Sequence, residues 1–75
     1  MDWGAVFSDI QKWMIESNEV SKRFPISSDQ YWEWVVQSTG TIGNKYNNHP
    51  LVSKFLIALI SFQEENYKAV TEKNN

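Results

Sequence analysis

Apolar residues recur at helical intervals in three stretches of the chain. Trp3, Val6, Phe7, Ile10, Trp13 and Met14 fall within an arc of about 120° on a helical wheel, which predicts an amphipathic helix over about residues 2–18. Asp2 suits its positive end, and the pattern fades through Ser17-Asn18-Glu19. Val20 to Pro25 reads as a connector because Pro25 lacks a donor and pushes Phe24 out of the helical region, so Phe24 is expected to anchor in the core. Ser27-Ser28-Asp29-Gln30 is an N-cap signal for a second helix over about 28–46. Its apolar positions, Tyr31, Trp32, Val35, Val36, Thr39, Ile42 and Tyr46, keep helical spacing across Gly40 and Gly43; the competing reading ends the helix at Gly40.

Asn47-Asn48-His49-Pro50 is turn chemistry with proline at a first helical position, so a third helix is expected over about 50–71. Leu51, Val52, Phe55, Leu56, Ala58, Leu59, Ile60, Phe62, Tyr67 and Val70 cover about 200° of its wheel, far beyond a one-sided stripe. Such a helix needs neighbours on two sides. The fold expected is an all-α, small three-helix bundle with the third helix central, a single domain over 1–75 with a frayed polar tail at 72–75.

Composition narrows the picture. The chain has 75 residues, too few for a second core, and 15% of them are aromatic, four being tryptophan. Cysteine is absent and histidine occurs once, so neither disulfides nor a Cys- or His-rich metal site is available, and no cofactor is implied. The longest apolar run, Phe55 to Ile60, is six residues, against roughly 20 needed to cross a bilayer. The start, Met1-Asp2-Trp3-Gly4, does not read as a secretory signal, and a soluble cytoplasmic protein is expected. Seven basic against nine acidic residues leave a net charge of −2, an unfavourable balance for nucleic acid or anionic lipid.

Candidate chemistry is sparse. The carboxylate pairs Asp29 with Glu33 and Glu64 with Glu65 lie on polar faces, and His49 has no nucleophile or orienting carboxylate at a recognisable spacing, so no enzyme is expected. Gly40-Thr41-Ile42-Gly43 has the spacing of a phosphate-clamping GxxG loop without its sheet context or basic surface. Lys45, His49 and Lys54 make a weak anion-site candidate at the start of the third helix, and with the turn before it they supply the alternative reading, a helix-turn-helix-like nucleic-acid binder.

Trp32 and Trp34, two apart, point about 160° away from each other, so one is left over by a single core. Trp34, on the face of Gln30, Glu33 and Gln37, is either an anchor against a connector or a partner hot spot. Together with Ile57, Leu56, Ile60 and Tyr67 it forms the candidate interface of a non-enzymatic interaction module, whose partner is another protein or a second copy of the chain. Brevity and the Asn- and Lys-containing polar set suit an accessory protein of a bacterium or its phage.

Overall fold

A computed structural model describes residues 1–72, so the tail expected to fray lies, beyond Glu72, outside the described residues. Three helices follow one another, α1 (Trp3–Arg23), α2 (Asp29–Lys45) and α3 (Pro50–Glu72), with no strand among the described residues. They pack as a small three-helix bundle in which α2, not the third helix as expected, takes the central place, lying against both α1 and α3. The turn at Asn47 and Asn48 and the Pro25 connector fold both long helices back onto it.

Each boundary has a local cause. Asp2 caps α1, its carboxylate accepting the Ala5 N–H at 3.1 Å. The helix outruns the expected end at residue 18 and continues to Arg23. The polar run that looked like a terminus is tolerated because Ser17 is small, buried and self-satisfied, its hydroxyl donating to the Met14 carbonyl at 2.7 Å. Val20 then extends the apolar stripe onto the Trp13, Tyr31 and Val35 cluster. Pro25 stops the helix by holding Phe24 extended at φ −126° and ψ 120°. Phe24 is itself exposed, which corrects its expected anchoring role; Ile26 packs inward instead, and its carbonyl accepts the Trp32 indole N–H at 2.7 Å.

Ser28 caps α2 through the Tyr31 N–H, and the helix passes through Gly40 and Gly43 unbroken. Nearby hydroxyls turn back onto the helix, Thr39 donating to the Val35 carbonyl and Thr41 to that of Gln37. The α2–α3 turn uses two left-handed residues, Asn47 and Asn48, both at φ 55°, a conformation asparagine accepts more readily than most residues. Asn48 N–H returns to the Gly43 carbonyl at 2.8 Å, satisfying an end of α2 that would otherwise be orphaned.

The interior has two apolar centres. Val6, Val52 and Leu56 form the first, at the end where α1 and α3 begin; Trp13, Tyr31 and Val35 form the second. Ile42 and Leu59 touch both and join them. Trp3 meets His49 edge-on with ring centroids 5.3 Å apart, and Phe7 meets Phe55 at 5.7 Å, so α1 and α3 start together and run parallel, with α2 antiparallel to both.

Candidate functional site

The five residues expected to form an interface separate into different environments. Leu56 leaves the candidate surface: at 7% exposure it is core, packed with Val6 and Val52, because Gly43 lets α2 approach closely at that point. Trp34 is half-buried and stacked on Trp13, with centroids 5.1 Å apart and planes 23° from parallel. The pairing of Trp32 and Trp34 resolves through the position of α2 between two neighbours. Trp34 turns to α1, while Trp32 turns to Ile26 and to Tyr67 of α3, whose ring lies edge-on at 6.1 Å. Neither tryptophan is left over. Ile60 is half-buried and Tyr67 exposed, whereas Ile57 projects at 61% exposure from the α2–α3 flank, near the exposed Val36.

The three cationic candidates are engaged separately. Lys45 reaches across to α1, where its ammonium donates to Asp9 at 2.9 Å and lies 5.5 Å from the Tyr46 ring centre. Tyr46 donates its hydroxyl to the same Asp9 oxygen. These two donors hold the Asp9 carboxyl below its usual value, that of Tyr46 contributing most, and the carboxylate in turn raises Tyr46 and Lys45. His49 serves its own helix. Its Nδ1 accepts the Leu51 N–H at 3.1 Å, its carbonyl accepts that of Ser53, and Pro50 has no N–H to offer. The start of α3, the proposed seat of an anion, is thus largely occupied by His49 itself. Lys54 is exposed.

Spacing along the chain gave no signal for a groove of about 360 Å³ between the middle of α1 and α3. Met14 and Phe62 form its rims, at 51% and 55% exposure, and Trp13, Tyr31, Leu59 and Gln63 lie deeper. Gln63 is 8% exposed, and its carbonyl oxygen accepts the buried Tyr31 hydroxyl at 2.7 Å. That bond uses one end of the amide. Among the described residues no protein group accepts from its nitrogen, and no buried side-chain polar atom is unpaired, so the nitrogen keeps some contact with solvent beside the groove that Gln63 lines. The remaining polar lining, Ser17, Asn18, Ser21 and Asn66, is neutral, and among the described residues no charged side chain lines the groove.

A second concavity of similar volume, between α1 and α2, has charged walls in Asp9, Lys12, Glu16 and Lys45 over Trp13 and Ile42. Its indole is committed inward, since Trp13 Nε1 donates to the Ser38 hydroxyl at 2.7 Å. No group of three or more potential metal ligands occurs among the described residues, and no helix there is long and apolar enough to cross a membrane. No protein-family model, curated protein or solved structure matches the chain.

Proposed function

We propose that the chain is a cytoplasmic, non-enzymatic protein-interaction module that associates with copies of itself. The observation that carries this reading is the apolar surface α3 leaves uncovered on both flanks: Phe62 is exposed on the side of α1 and Ile57 on the side of α2, and Leu51 is exposed at the helix start. A helix with an apolar arc this wide needs more cover than two neighbours provide.

The dimensions agree. The radius of gyration is 13.1 Å, where a compact chain of this length has about 11.3 Å. The accessible surface is 5350 Å², against about 4,800 Å² for a compact monomer of this mass. Surface in excess of a compact monomer's favours association where large apolar side chains such as Phe7, Met14, Ile57 and Phe62 stand exposed on it.

Light scattering on a sizing column across the micromolar range tests the reading. A mass that rises with concentration to a multiple of one chain is the expected result. A single-chain mass throughout overturns it.

A further inference from the structure

Two layers recur seven residues apart along the parallel pair α1 and α3. In the first, Phe7 and Phe55 are in contact, with ring centroids 5.7 Å apart, and Phe7 still stands 55% exposed. In the second, Met14 and Phe62 occupy the equivalent positions but border the groove over Gln63. One layer is a ridge and the next a hollow, about 10.5 Å further along the helices.

We infer that the α1–α3 face is the self-association surface, with a second copy docked antiparallel about a two-fold axis that passes midway between these layers. This rests on the self-association reading and specifies its geometry. Such an axis carries the Phe7 ridge of each copy to the level of the other's groove, so one shape relation is satisfied twice. Among the described residues no charged side chain lines the groove, so docking desolvates none there, and the Gln63 amide nitrogen supplies a neutral donor beside it. Parallel helices in one copy then meet opposed helices in the other, which opposes their macrodipoles. Two adjacent helices, each ~10 Å wide and ~30 Å long, offer about 600 Å² in projection, close to the roughly 800 Å² per partner of an ordinary stable interface.

Gln11 lies at the level of the axis, within about 60° of both Phe7 and Met14 on the wheel, and so faces its own counterpart. The chain has no cysteine, so single-cysteine variants report proximity cleanly. Under mild oxidation at a concentration where the native chain is associated, Gln11→Cys is expected to form a covalent dimer in high yield, and Ile57→Cys on the other flank of α3 little. Phe7→Asp, whose helicity circular dichroism checks, is expected to shift the mass to a single chain. Association that persists in Phe7→Asp, or cross-linking through Ile57→Cys but not Gln11→Cys, overturns the geometry while leaving self-association standing. A native chain that is monomeric throughout overturns both, and leaves the groove to a different protein.

Discussion

Trp34 lies flat against Trp13, joining the outer side of α2 to α1 over the Tyr31 and Val35 core. The two rings are placed by helices whose sequences are otherwise polar on these flanks, with Glu33 and Gln37 beside Trp34 and Lys12 and Glu16 beside Trp13. The stack therefore holds much of the α1–α2 contact at its level, and its loss is predicted to be structural.

Trp34→Ala is expected to lower the unfolding free energy by about 2 kcal/mol, below the 3–5 of a fully buried tryptophan because the ring is partly solvated. Ile57→Ser, at an open position, is expected to stay within about 0.5 kcal/mol. Urea titrations followed by circular dichroism at low protein concentration compare the two. Equal, small effects would mean that the stack contributes nothing.

The Tyr31 and Gln63 pair predicts non-additivity. Tyr31→Phe leaves a buried amide oxygen unpaired and is expected to cost about 1–3 kcal/mol. Adding Gln63→Met, which removes the orphaned acceptor, is expected to recover part of that loss. A double variant whose loss equals the sum of the single losses would show that the two groups act independently.

Much of this architecture is legible in the residues, and the exceptions have physical reasons. Period and punctuation fix three helices, because Asp2, Ser28 and Pro50 sit where helix starts need them. The last turn of α1 is hidden because a buried serine reads as a polar break. A helical wheel shows which residues share a face but not how many neighbours a helix has, and the roles of Trp32 and Trp34 depend on that. Leu56 and Ile57 are neighbours in sequence, yet one is interior and the other projects into solvent, a distinction made by the close approach at Gly43. Asp9 and Lys45 are 36 positions apart, and no local pattern pairs them.

The Asp9 cluster predicts a pH dependence with a definite sign on each side. Asp9 titrates below its ordinary 3.8 because Tyr46 and then Lys45 hydrogen-bond its charged form, so its contribution is present above about pH 4 and is lost as acid carries the pH down through the folded value. Tyr46 and Lys45 are raised above 10.0 and 10.5 by the hydrogen bonds to Asp9, and Tyr31 above 10.0 by burial. Their contributions are present below those values and are lost as the pH climbs through the folded ones. Tyr46→Phe is expected to lower the urea midpoint near neutral pH and to make both the acid and the alkaline limbs of its pH profile shallower. Superimposable profiles would contradict the cluster.

The glycines of α2 are expected to differ. A Cβ at Gly40 meets nothing within 4 Å, so Gly40→Ala is predicted to stabilise the protein by about 0.5–1 kcal/mol through helix propensity alone. At Gly43 a Cβ would lie 3.2 Å from the Asn48 amide oxygen and 3.5 Å from Leu56, so Gly43→Ala is predicted to gain less or to lose. Melting both variants beside the parent checks the order, and a larger gain at Gly43 would reverse it.

The flanked position of α2 has a consequence for how the chain can change over time. Its 17 residues, the fewest of any helix here, must satisfy two neighbours at once, whereas α1 and α3 each answer to α2 first and to one another more loosely. Sequence drift should therefore be slow on both faces of the shortest helix, whereas α1 and α3 carry their constraint on fewer positions, Val6, Trp13, Val52 and Leu56, and can vary on their outward polar positions without unmaking the fold.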